Sequence, residues 1–396
     1  MKKGWQTKTL GEMCEVMNGG TPKTGVPEYW DGKHRWITPA EMGKRLSPYV
    51  ADTERKITDL GLRNSSAQIL PPHSLILSSR APIGHLVINT EPMATNQGCK
   101  GLIPGSQLQH KFLYYYLSSI VDLLNSLGTG ATFKELSGGK LKEVTLPVPP
   151  LTEQQRIVGI LDEAFDGIAT AKANAEKNLK NARALFESHL QSVFIQRGKG
   201  WVDTTIGEVC DFRGGGTPSK AVERYWKGKI PWVSPKDMKF EVVSDSIDHI
   251  SMEAVEGSAT SLIPKGAVLM VVRSGILARI VPLAVTGREL TINQDLKALC
   301  PKNIIESRFL YSLLESKMPI LLSLVSRGAT VHRLQTEQIR SLNCFLPPRA
   351  EQHRIIAQID SMREETQRLA SLYQHKLAAL DALKKSLLHQ AFTGNL

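Results

Sequence analysis

The chain has 396 residues, a formal net charge of +11, 41% hydrophobic residues and 6% aromatic residues. That length supports two or three domains, each with its own core. No run of 18 uncharged apolar residues occurs, and the opening MKKGWQTKTLGE lacks the apolar stretch of a signal peptide, so a soluble cytoplasmic protein without a membrane span is expected.

The charge is uneven: +5 over residues 1–150 and +4 over 198–348, against 0 over 151–197 and +2 over 349–396. Two basic blocks of this kind are the footprint of a polyanion-binding surface. Cys14, Cys99, Cys210, Cys300 and Cys344 are scattered, with no C-x-x-C pair and no histidine at ligand spacing, which predicts reduced core thiols and no metal site.

In chain order, the first block opens with GWQTKTLGEMCEVMNGGTPKTGVPEYWDGKHRWITPAEM from Gly4. The stretches from His73 (HSLILSS) and Gly84 (GHLVINT) read as strands. The stretch from His110 to Gly128 has helical periodicity and closes on a glycine suited to a left-handed cap. A short strand, EVTLPV, leads to Pro149-Pro150, which can neither continue a strand ladder nor sit inside a helix, so the block ends there. The GGTP segment reads as a tight turn, since no helix follows to complete a phosphate cradle.

Thr152 and Gln155 have the spacing of a capping box, and a helix is predicted over 153–195. Its apolar residues recur in steps of four and three at Ile157, Leu161, Ala164, Ile168, Ala171, Ala175, Ala182 and Leu185, a coiled-coil seam.

The second half repeats the first. GWVDTTIGEVCDFRGGGTPSKAVERYWKGKIPWVSPKDM from Gly200 matches the opening 196 residues away, NQDLK at Asn293 matches NQGCK at Asn96, and GATVHRL at Gly328 matches GATFKEL at Gly130. Strands are predicted over AVLMVV (Ala267) and RIVPLAV (Arg279), and a helix from Ser307 that Pro319 splits and Gly328 closes. PPRAEQHRIIAQID from Pro347 then answers PPLTEQQRIVGILD from Pro149. Ala350 stands where the first copy has Thr152, a lost cap worth about 1 kcal/mol. A second long helix, 351–391, carries a seam at Ile355, Ile359, Met362, Leu369, Tyr373, Leu380, Leu383 and Leu387, with Lys376 interrupting it as Asn178 interrupts the first.

The chain is thus one unit written twice, a domain duplication. The expected fold class is α+β, with two mixed α/β domains in tandem repeat, each followed by a long helix. The divisions are 1–150, 151–197, 198–348 and 349–396. Two helices of roughly 60 Å related by a pseudo-two-fold axis would form an antiparallel coiled coil with the blocks at opposite ends, a monomer imitating a symmetric DNA-binding dimer.

This arrangement, the paired GAT…L…PP-x-x-EQ-x-x-I passages each behind a GGTP…YW…W block, resembles the specificity subunit (S, HsdS) of type I restriction-modification systems over the whole length. The resemblance implies a sequence-specific, non-catalytic subunit reading a bipartite, asymmetric site in double-stranded DNA, one half per domain. It further implies two methyltransferase subunits and two restriction-translocase subunits as partners. This chain would be the monomeric member of that hetero-oligomer, and S-adenosylmethionine, ATP and Mg would belong to the partners. The residues agree: neither diproline stretch carries the Asn/Asp-Pro-Pro-aromatic motif of an adenine methyltransferase, and no G-x-x-x-x-G-K-[ST] occurs. SPKDMKFE (Ser234) and TPAEMGKR (Thr38) are too short of acids for a nuclease and read as surface turns. The alternatives are a nucleic-acid-binding scaffold of another defence assembly without restriction partners, and an enzyme with an unrecognised site.

Positions alike in both copies cannot read two different half-sites, so base readers are expected where the copies diverge: 43–70 against 239–262, and 80–95 against 273–292. Arg80, Arg273 and Arg279 at strand ends are candidates for base edges. Lys100, Lys134, Lys297, His332 and Arg333 are candidates for phosphates. Gln154, Arg156, Gln352 and Arg354 in the two EQ-x-R-I starts are matched candidates for binding a partner subunit twice, or for fastening each block to its helix.

Overall fold

A computed structural model describes residues 4–80, 82–130 and 134–396, so Ala131, Thr132 and Phe133 of the GATFKEL motif lie outside the described residues. The chain divides into two compact units, 1–176 with 375–396, and 177–374. Each unit therefore holds one globular block, the front of one long helix and the back of the other.

In the first unit a five-stranded sheet has the order Cys14–Asn18, Cys99–Pro104, Leu75–Ser79, Ile83–Asn89, Tyr49–Val50. The central Leu75–Ser79 is buried along its whole length, which is why Leu75, Ile76 and Leu77 follow one another without polar alternation. Helices His110–Ser119 and Val121–Leu127 cover the sheet, with Phe112, Leu113, Leu117 and Leu124 buried beneath them. A three-stranded sheet, Arg55–Ile57, Trp30–Ile37, Met93–Thr95, carries Trp30 and Trp36. Gln6–Thr9 pairs antiparallel with Thr145–Val148, tying the start of the block to its end just before the diproline.

The second unit repeats this plan with Cys210–Gly214, Leu296–Pro301, Val268–Val271, Leu283–Thr286 and Val242–Val243 in the large sheet, and Asp248–Ile250, Ile230–Val233 and Thr291–Ile292 in the small one. Arg273–Ser274 pairs there with His332–Arg333, and in the first copy Arg80 bridges Glu135 at the equivalent place.

The long helices are Leu151–Ile195 and Arg349–Thr393. Inside the first unit their segments run antiparallel: Arg156 Nη2 donates to the Leu396 carbonyl at 2.7 Å, and Lys172 meets Asp381 at 2.7 Å. Ile157, Leu161, Leu388 and Ala391 share one buried cluster, and Phe392 meets Phe112 and Tyr116 edge to face. Inside the second unit Arg363 lies over the Phe186 ring and Gln358 faces His189, again antiparallel, with Leu190, Phe194, Ile355 and Ile359 buried together.

Several local expectations fail for identifiable reasons. The helices begin at Leu151 and Arg349, directly after the prolines, so Thr152 and Ala350 are already helical and no capping box forms at 152–155. Capping boxes lie instead at Thr9–Glu12, Thr205–Glu208 and Ser234–Asp237. Gly128 has φ −64° and Gly328 is not among the positive-φ glycines, so neither is a left-handed cap. The helix after His110 breaks at Ile120 without a proline, matching the break at Lys317 in the other copy, so the break belongs to the fold more than to Pro319.

The seam also drifts. Leu185 is 67% exposed and its equivalent Leu383 is 46% exposed, while Phe186, Leu190, Leu387 and Leu388 turn inward. A straight helix rotates away from a 3.5-residue repeat by about 20° per heptad, and here its last turns pack on a globular block as well as on the other helix. Asn178 and Lys376 are both exposed, so neither puts a polar group in a buried layer.

Candidate nucleic-acid interface

In each copy the predicted cations at the end of the central strand of the large sheet converge with those of the neighbouring strand and the GAT loop. In the first, Arg80 follows Leu75–Ser79, and its guanidinium meets Glu135 at 2.5 Å. Lys134 beside it is exposed, whereas Lys100 is only 6% exposed, on the strand paired with both Leu75–Ser79 and Cys14–Asn18. Burial pushes the Lys100 ammonium below its ordinary range, Glu135 draws it back up, and Arg80 opposes it further. Arg80 and Lys100 thus share the field of one carboxylate, Glu135.

In the second copy Arg273 contacts Asp295 at 3.2 Å and pairs through the backbone with Arg333, while Ser274 pairs with His332. Arg333 occupies the position that Glu135 holds in the first copy, so the charge there is reversed. The carboxylate comes from a different segment, Asp295 of the NQD turn, which Asn293 orients by accepting from Asp295 N at 3.0 Å and donating to its Oδ2 at 3.0 Å. Lys297 is half-buried on the adjacent strand, and Gly214 lies close to it: a Cβ there would meet the Lys297 ammonium at 3.1 Å. His332 has its Nδ1 buried without a partner. Arg279 stands apart, at the end of a 3-10 turn Gly275–Ala278 and not in a strand, exposed and with no ion pair among the described residues.

The residues common to both copies have structural duties. The second GGTP glycine of each copy gives its carbonyl to an indole: Trp36 Nε1 donates to the Gly20 carbonyl and Trp232 Nε1 to that of Gly216, both at 2.9 Å. Any Cβ on Gly19 would lie 1.9 Å from the Asn96 carbonyl oxygen. These turns are packed backbone. Glu41 of TPAEMGKR is 4% exposed and paired with Arg45, so that segment is not a surface turn.

The EQ-x-R-I starts divide in two. Gln154 and Gln352 are 0% exposed. Gln352 Oε1 accepts from Glu306 N, and its Nε2 donates to the Ile304 and Pro347 carbonyls, all at 2.9 Å. Gln154 makes the same three bonds to Gln109 N, the Gln107 carbonyl and the Pro149 carbonyl. Each amide is used up fastening its block to its helix and offers nothing outward. Arg156 and Arg354 point to the surface, each in an i,i+3 pair with Glu153 or Glu351.

Sequence reasoning missed a network in the second unit, where Arg363, 14% exposed, meets Glu315 at 2.7 Å and Arg308 joins Glu241 and Asp360. Its first-unit counterpart is Asp162, which takes Lys111 at 2.7 Å and the Tyr115 hydroxyl. The i,i+3 pair Asp360–Arg363 was visible in the sequence, but its partners lie 45 or more residues away. All five cysteines are buried and unbridged, with desolvation raising Cys14, Cys99 and Cys210 to about 12. Among the described residues no helix is long and apolar enough to cross a membrane.

The fold and site define a tandem-duplicated α+β protein with an equivalent cation cluster in each copy. The profile of the type I restriction modification DNA specificity domain matches residues 2–181 and 198–374, and the chain belongs to that family. It is 28% identical over 363 residues to the type I restriction enzyme MjaIX specificity subunit of Methanocaldococcus jannaschii, covering 87% of this chain and 84% of that one. It is 33% identical over 258 residues to the EcoR124I/EcoR124II specificity subunit of Escherichia coli, covering 63% and 62%. A solved structure described as bearing on complex assembly and conformational transition of the type I R-M system shares the fold at TM-score 0.81, with 21% identity over 100% of this chain and 99% of that one. The HsdS subunit from Thermoanaerobacter tengcongensis does so at 0.64, with 19% identity over 100% and 98%.

Proposed function

We propose that the chain reads a bipartite, asymmetric DNA sequence, one half per copy, and scaffolds two methyltransferase and two restriction-translocase subunits without catalysing a reaction itself. Residues 1–150 and 198–348 are the reading domains in this proposal, 151–197 and 349–396 the helical spacers, and the setting is the cytoplasm. S-adenosylmethionine, ATP and Mg act in the partners. The observation that carries the reading is the cation cluster in each copy, matched in place yet reversed in charge at Glu135 and Arg333. Matched placement suits two heads that approach a duplex alike, and the reversal suits two heads that read different bases.

Arg80, Arg273 and Arg279 are the base readers proposed. Lys100, Lys134, Lys297, His332 and Arg333 position phosphates, and Arg156 and Arg354 face the methyltransferase subunits. The test is to map methylated adenines in cells carrying the chain with its methyltransferase partner, with and without Arg273→Ala. A bipartite motif that vanishes without the chain and relaxes in one half with the variant supports the reading. An unchanged methylation pattern overturns it.

A further inference from the structure

The two copies treat the same pair of tryptophans differently. Trp30 and Trp36 meet edge to face with centroids 5.1 Å apart, and the Arg55 guanidinium lies 3.8 Å from the centre of the Trp30 ring, leaving Trp30 only 9% exposed. Trp226 and Trp232 keep the same edge-to-face contact at 5.1 Å. The strand register that sets Arg55 opposite Trp36 sets Asp248 opposite Trp232, and an aspartate is too short to cover an indole. Where Arg55 fills the first copy, the second has a cavity of about 330 Å³ lined by Lys220, Glu223, Trp226, Trp232 and Asp248.

We propose that this cavity takes an arginine side chain presented by a protein partner. The duplication supplies the stand-in: the first copy shows which group the indole face accepts, a planar cation held by its π-electrons. The second copy withholds that group and puts carboxylates in its place. Asp248 already bonds Lys236 at 2.8 Å and Glu223 bonds Lys227 at 2.5 Å, but a carboxylate accepts more than one hydrogen bond. Lys220 also lines the cavity, so the choice of arginine over a base rests on the first copy, where the same indole face holds a guanidinium. The proposal does not depend on the DNA-reading assignment.

The full chain labelled with 5-fluorotryptophan gives one fluorine resonance for each of its six tryptophans, and Trp226→Phe assigns Trp226. Titration with N-acetylarginine methylamide shifts the Trp226 resonance, and the neutral citrulline analogue binds about 2- to 5-fold more weakly. Asp248→Arg abolishes the response by filling the cavity from within. Arg55→Ala makes Trp30 newly responsive, which keeps the proposal testable if Asp248→Arg does not fold. A Trp226 resonance moved by adenosine monophosphate but not by the arginine amide overturns the proposal in favour of a nucleobase. Equal response to arginine and citrulline, or response to none of the three, also overturns it.

Discussion

Replacing Gln352 by methionine keeps the side chain's length and removes its hydrogen-bonding groups. The Glu306 amide and the Ile304 and Pro347 carbonyls, each now bonded at 2.9 Å to a wholly buried amide, lose their partner together. A buried polar group left unpaired costs about 1–3 kcal/mol. The carbonyls retain a second lone pair and part of the site reaches solvent, so the total expected is about 2–4 kcal/mol. With a urea slope of roughly 2 kcal/mol/M, the midpoint of the second unit falls by about 1–2 M. Urea unfolding followed by circular dichroism and tryptophan fluorescence, fitted as separate transitions because two units need not unfold together, reads this directly. Gln154→Met does the same to the first unit, whereas Arg354→Ala, on the surface, stays within about 0.5 kcal/mol. A Gln352→Met loss below about 0.5 kcal/mol, or one spread equally over both units, would refute the fastening role.

Lys100→Met is expected to raise the urea midpoint at neutral pH and weaken DNA binding. Burial lowers the folded pKa of this ammonium, so its unfavourable share is present below that pKa and fades as pH rises through it; a lower midpoint refutes the sign. Arg333→Glu recreates beside Arg273 the pairing that Arg80 has with Glu135. It should weaken DNA binding and flatten the salt dependence by about 0.9 for each phosphate it ceases to neutralise, and an unchanged slope argues against a phosphate partner for Arg333. Asp59 takes hydrogen bonds from Lys33 and then His34, which hold its carboxyl down at about 2, against an ordinary 3.8. The stability it lends is complete above pH 4 and is lost as pH falls toward 2. Carboxyl carbon NMR should find that midpoint, and a value near 3.8 would contradict the ion cluster.

Much of the plan was legible because it is periodic. The duplication, the buried central strands and the two long helices all follow from spacing and composition. What misled were features whose meaning depends on partners far along the chain. The sequence leaves Gln154 open between a partner contact and a fastening of block to helix, and the return of the 107–109 segment over it decides for the buried clamp. Glu41 looks like part of a turn until Arg45 and the Glu54 amide close round it. Leu185 fits a heptad and still faces outward, since the pattern cannot register how far a straight helix has rotated by its last turns.

Repetition along the chain is a local property, so the order of residues alone determined that this protein is one unit used twice, with a basic excess in each copy. Which carboxylate each arginine finds was decided only in three dimensions: Glu135 for Arg80, Asp295 for Arg273. Coulombic and hydrogen-bond partners are set by distance in space, and two copies that share a backbone can bring different segments to the same few ångströms.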